Sequence, residues 1–174
     1  RLGMPGGRIE LQLTPLDADT YPVTGLENVE FLVSANPGQP AKPLAKVASG
    51  GELSRISLGI QVITAQTSRV PTLVFDEVDV GIGGPTAEIV GQLLRQLGAR
   101  GQVLTVTHLP QVAGQAHHHL HIEKQAEEDT TQTQMVLLDS AGRVRELARM
   151  LGGLNITERA RAHAVEMLTA AQQA

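Results

Sequence analysis

The sequence predicts an α/β fold, with a mostly parallel sheet flanked by helices and additional strands at the N-terminal end. Three observations predict it. Short apolar runs at Thr72–Phe75 and Gln102–Thr107 end in polar groups, as buried parallel strands do. A helical pattern lies between them, so strand, helix and strand alternate through the middle of the chain. Hydrophobic residues make up 41% of the 174 positions, enough for a core, and aromatics only 2%, so that core is built from Leu, Ile, Val and Ala.

From the N-terminus, Arg8 to Leu16 alternates apolar Ile9, Leu11 and Leu13 with polar Glu10, Gln12 and Thr14 and reads as a half-buried strand. Asp17 to Gly25 is turn-like, and Val29 to Ser34 reads as a second strand. Asn36 to Lys46 holds three prolines and one glycine and reads as a loop. Glu52 to Gln66 is helical, and its spread of Leu53, Ile56, Leu58, Ile60, Val62 and Ile63 predicts broad burial. After the run at Thr72–Phe75 comes a glycine turn, Gly81 to Gly84. Pro85 then suits the first turn of a helix that runs to Leu97 and stops at Gly98. His117 to Lys124 and Thr133 to Leu138 read as late strands joined by a polar, acidic stretch. Arg143 to Leu151 reads as a helix stopped by Gly152 and Gly153. Asn155-Ile-Thr-Glu158 resembles a capping box for a last helix.

Composition excludes several classes. There is no cysteine, so disulfides and thiolate metal sites are ruled out. A net charge of −4 argues against a mainly electrostatic nucleic-acid module. No apolar run approaches the ~20 residues of a membrane-spanning helix, and no signal peptide is visible. The chain starts at Arg1 within a glycine-rich turn, which reads as a fragment.

Four stretches carry candidate chemistry. Ala48-Ser49-Gly50-Gly51-Glu52-Leu53-Ser54-Arg55 opens a helix, where two glycines and the positive end of the helix dipole suit an anion such as phosphate. Alternatively, Ser49 and Glu52 form a capping box, although a cap needs no glycine pair. The chain has no G-x-x-x-x-G-K-[ST] loop to hold the rest of a nucleotide. Asp76 and Glu77 follow the strand at Thr72–Phe75. Either they solvate its end, or Asp76 holds Mg²⁺ and Glu77 polarises a water. His108 ends the next strand, either satisfied by a carbonyl or donating to a phosphate. His117, His118, His119 and His121 invite a metal reading beside the plainer one of an exposed strand. Arg143, Arg145, Arg149, Arg159 and Arg161 read as a phosphate-contacting patch or as a solvated helix surface.

In this order, the pieces resemble the C-terminal half of an ABC-type (P-loop NTPase) ATPase head. Residues 48–55 look like the ABC signature motif, with Glu52 where transporters usually have Gln. Leu73 to Glu77 looks like the Walker B strand, and His108 like the switch histidine. Residues 29–40, 46–55, 75–82, 106–113 and 146–153 are similar to the RecN family of bacterial DNA-repair proteins, which resemble SMC proteins. The resemblance implies four segments of one half-head: 1–47 strands and Pro-rich loop, 48–70 signature and helix, 71–116 Walker B, D-loop and switch region, and 117–174 late strands and helices. It implies ATP and Mg²⁺ as cofactors, Asp76 as the metal ligand, and Glu77 and His108 as catalytic residues. Ser49, Gly50, Gly51 and Glu52 would act on ATP bound to a partner head. Asp79, Gly81 and Gly83 would form the D-loop, where Gly83 replaces the Asp of related SMC heads. Implied partners are the N-terminal half-head with its Walker A loop, a second head in an ATP-dependent homodimer, and DNA, with no membrane. The implied place is the cytoplasm, at the nucleoid. By itself the chain is expected to be inactive. Rival readings are a half-head of a transporter or another SMC-like protein, and a non-catalytic interaction domain on the same fold.

Overall fold

The computed structural model describes residues 6–17, 22–34, 36–46, 50–67, 70–76, 79, 81–127, 130–153 and 155–173. The chain divides into two units, Arg1–Ile60 and Gln61–Ala174.

In the first unit, β1 (Arg8–Pro15) pairs antiparallel with β2 (Glu27–Ser34), which pairs antiparallel with β3 (Lys42–Pro43). A 3-10 turn over Leu44–Lys46 follows, so the Pro-rich stretch is more ordered than its composition suggests. Register places Ile9 opposite Val33, Leu11 opposite Phe31 and Leu13 opposite Val29, so these three successive pairs form an apolar stretch on one face of the ribbon. The alternation thus predicts the strand correctly, but not its burial. Leu11 is 57% exposed, and Ile9, Leu13, Val29 and Phe31 are similarly open, with only Val33 of this set buried.

Helix α1 (Gly50–Thr67) contains the boundary between the units. Ile56, Leu58 and Val62 are buried, whereas Leu53, Ile60 and Ile63 are exposed. Burial therefore follows a narrower stripe than the apolar content predicts.

In the second unit, β4 (Thr72–Phe75) and β5 (Gln102–Thr105) pair in parallel, Leu73 opposite Val103 and Phe75 opposite Thr105. Between them runs α2 (Gly84–Gly98), with Pro85 in its first turn and Ala99 as C-cap. Its buried residues Ala87, Val90, Gly91, Leu94 and Leu97 recur at helical spacing. The β4–β5 pair is covered on one face only: Phe75 is buried, while Val74 is 67% exposed and Leu104 and Val106 are also open. A short helix that the sequence pattern does not announce, α3 (Pro110–Ala113), docks on α2. Gly91 makes that docking possible, because a Cβ there would lie 2.8 Å from the carbonyl oxygen of Gln111 and 3.2 Å from Cα of Val112.

The late strands form an antiparallel hairpin, β6 (Leu120–Glu127) with β7 (Thr130–Leu137). They reach into the stretch whose polar, acidic composition reads as a connector. Helix α4 (Ser140–Gly152) is capped by Asp139, whose Oδ1 accepts from the Gly142 N–H at 2.6 Å, and ends at Gly153 with φ 74°. Helix α5 (Glu158–Gln173) packs on α4 around Leu147, Ala148 and Ala164. Its cap is Thr157, whose hydroxyl accepts from the Ala160 N–H at 3.1 Å, and not Asn155. No helix among the described residues is long and apolar enough to cross a membrane.

Candidate functional site

The chemistry gathers where β4 and β5 end together. The pairing extends one step beyond the strands, with the Val106 N–H donating to the Phe75 carbonyl at 2.9 Å. Asp76 follows β4 at once and is exposed. Glu77 lies outside the described residues, as does Ser49.

Asp79 is the best-defined of the predicted site residues. Its side chain is 1% exposed, although it belongs to a loop. Oδ2 accepts from the Thr107 hydroxyl and from the His108 backbone N–H, the latter at 3.2 Å. Oδ1 is buried without a hydrogen-bond partner and lies 3.5 Å from Nδ1 of His108. The Thr107 hydroxyl also accepts from the Leu109 N–H at 3.0 Å. Asp79 and His108, 29 residues apart in sequence, are thus brought into one cluster. Thr107 joins them, and its only sequence signal is its place beside His108. The imidazole itself is 70% exposed, so a buried anchor holds an open ring.

The glycines of the turn differ in what they require. Gly81 (φ 73°) and Gly84 (φ 52°) occupy left-handed backbone that favours glycine. Gly83 is the N-cap of α2 with φ −170°, extended backbone that any residue adopts, and a Cβ there would meet nothing within 4 Å. The backbone therefore has room for an Asp at 83. In the first unit, Gly50, Gly51 and Glu52 form the first turn of α1, where the Glu52 carboxylate sits favourably against the helix dipole.

The histidine and arginine clusters have mostly structural partners. The Arg143 guanidinium donates to the carbonyls of Ala116 (2.5 Å) and His117 (3.2 Å). Arg95 donates to the Gln115 carbonyl at 2.8 Å. Arg149 forms a bidentate pair with Glu146 at 2.7 and 2.8 Å, and His121 Nδ1 lies 3.5 Å from the same carboxylate. The hydrogen bond from Arg149 holds the Glu146 carboxyl below its ordinary range, against the opposing effect of burial. Burial pushes His119 down, as it does His117, which Arg95, His118 and Arg143 lower further. Among the described residues no group of three or more His, Asp or Glu side chains is placed to hold a metal. A cavity of about 200 Å³ lined by His121, Leu138, Gly142, Arg145, Glu146, Arg149 and Ile156 includes none of the strand-end residues.

Known proteins are similar to this chain in sequence. The DNA repair protein RecN of Vibrio cholerae is 57% identical over 170 residues, covering 98% of this chain. The chain matches a segment of RecN. RecN of Xylella fastidiosa is 52% identical over 99% of the chain, and that of Deinococcus radiodurans 46% over 96%. The chain spans about 30% of the length of these RecN relatives. No protein-family profile matches it. Among solved structures, one from work on ATP-driven dimerisation and DNA-stimulated activation of SMC ATPases matches with TM-score 0.62 at 18% identity, over 87% of this chain and 85% of its own. The Smc head domain of Pyrococcus yayanosii matches with TM-score 0.63 at 19% identity, over 83% of this chain and 26% of its own. The fold of the chain is similar to that of these SMC head structures.

Proposed function

We propose that the chain is the C-terminal half of an SMC-like ATPase head acting in recombinational repair of DNA double-strand breaks. One observation carries the reading. Two parallel strands end together, one at Asp76 and the other in a loop whose His108 is anchored to Asp79. Relatives named as DNA repair proteins supply the biological setting.

The donor chemistry fits the implied ion, because Asp76 offers an exposed carboxylate and Mg²⁺ prefers hard oxygen. Bound there with ATP, Mg²⁺ would supply neutralisation of charge on the phosphates. Asp76 orients that ion. Glu77 accepts a proton from the attacking water. His108 donates to the γ-phosphate in the same head. Ser49, Gly50 and Gly51, with Glu52 in the same turn, bring the start of α1 to the γ-phosphate held by a second head, so ATP joins the heads and hydrolysis parts them. Asp79, Gly81 and Gly83 form the D-loop at that joint. The N-terminal half-head with its Walker A loop completes the nucleotide site. Exposed apolar faces on β1–β2, β4–β5 and β6–β7 support such a partner, since parallel sheets in particular are normally covered on both sides. DNA is the substrate acted upon, and the cytoplasmic nucleoid the place.

In the full-length protein, Glu77→Gln is expected to leave ATP binding intact and lower turnover by about 10²- to 10⁴-fold, measured against the 174-residue chain alone as an inactive baseline. Turnover equal to wild type would overturn the assignment.

A further inference from the structure

A carboxylate oxygen that is buried and lacks a donor is costly, and Oδ1 of Asp79 is one. Nδ1 of His108 lies 3.5 Å from it, just beyond a full hydrogen bond. The other oxygen, Oδ2, already fixes the loop by accepting from the His108 backbone N–H and the Thr107 hydroxyl. One carboxylate thus holds the main chain at His108 and faces the side chain of the same residue. A neutral imidazole carries one N–H, and the partner of one ring nitrogen decides what the other can do.

We infer that Asp79 is a positioning residue for His108: its carboxylate takes the Nδ1–H and so fixes the ring, and Nε2 donates to a phosphate when the ring is imidazolium, both nitrogens then carrying a proton. Catalytic hydrogen bonds are often long before ligand binds and tighten in the complex, which accounts for the 3.5 Å separation. Thr107 extends the link, because its hydroxyl donates to Asp79 and accepts from the Leu109 N–H at 3.0 Å. Asp79 also starts the glycine turn, its carbonyl accepting from the Ile82 N–H at 3.3 Å. A shift of the turn therefore reaches the imidazole through one side chain. The phosphate role of Nε2 rests on the reading of His108 proposed above, whereas the Asp79–Nδ1 contact does not.

The first test is spectroscopic. Ring ¹⁵N spectra of the histidine-labelled chain, with His108 assigned through His108→Gln, should place the His108 proton on Nδ1. Asp79→Asn should move it toward Nε2, and a ring spectrum unchanged by Asp79→Asn would overturn the inference. The second test is kinetic, in the full-length protein. Asp79→Asn should lower kcat about tenfold while KM for ATP stays within about twofold. In a His108→Ala background the same substitution should add less than about twofold, because the two residues act as one unit. An equal loss in both backgrounds would overturn the coupling. If Glu77→Gln left turnover unchanged, the ATPase assignment would fall while the ring spectrum still decided the Asp79–His108 contact.

Discussion

The α4–α5 pair and the β1–β2 ribbon treat apolar side chains in opposite ways. In the helical pair, Leu147, Ala148 and Ala164 are completely buried, with Val144, Leu151, Met167 and Leu168 packed around them. In the ribbon, a continuous apolar face of Ile9, Leu11, Leu13, Val29 and Phe31 stays open. The helices cover one another within the chain. The ribbon presents a face suited to a surface from elsewhere. The helical pair thus buries its apolar side chains within the chain, and the ribbon leaves its own open.

Substitutions can break or sharpen that contrast. The largest effect is expected at the helical pair, where Leu147→Ala should cost about 2–5 kcal/mol. Chemical unfolding of the chain would measure it, and a cost near zero would break the claim that α4–α5 is self-sufficient. A smaller effect belongs to Glu146, which ties α4 to β6 through His121. Glu146→Gln should cost about 1 kcal/mol at neutral pH. Its carboxyl is held below the ordinary 4.5 in the folded state, so its contribution is present above that pH and is lost as pH falls below it. Thermal unfolding of wild type should therefore weaken through that window more steeply than that of Glu146→Gln. The smallest effect is expected on the ribbon. Leu11→Ser should change the stability of the chain by no more than about 0.5 kcal/mol, yet weaken its association with the N-terminal half in a pull-down. A large loss of stability would place Leu11 in a core of the chain itself.

Much of this architecture was legible because local patterns carry it. The alternation at Ile9, Leu11 and Leu13 announces a strand, and Pro85 after a glycine turn announces α2. What covers a face is not a local property, so half-burial of β1 and broad burial of α1 could not be read from the same residues. A four-residue helix such as α3 is too short to show a period. The cap of α5 went to Thr157 because the hydroxyl adjacent to the first helical residue reaches the Ala160 N–H, although Asn155 with Glu158 has the spacing of a box. At the candidate site, the order of Asp76, Asp79, Gly81 and His108 was visible, and the family resemblance gave each a role. The partnership of Asp79 with Thr107 was not visible, since 28 residues separate them and only the parallel pairing of β4 with β5 brings them together.

Gly91 carries a consequence for how freely this region can vary. The Gln111 carbonyl and the Val112 Cα occupy the space any side chain there would need, and backbone cannot step aside as a flexible side chain can. Random mutagenesis of α2 should therefore be permissive at outward-facing positions such as Glu88 and Gln92 and intolerant at 91. The intolerance would come from α3, which begins two residues after His108. The short helix α3 thus imposes on α2 a restriction that no residue of α2 displays by itself.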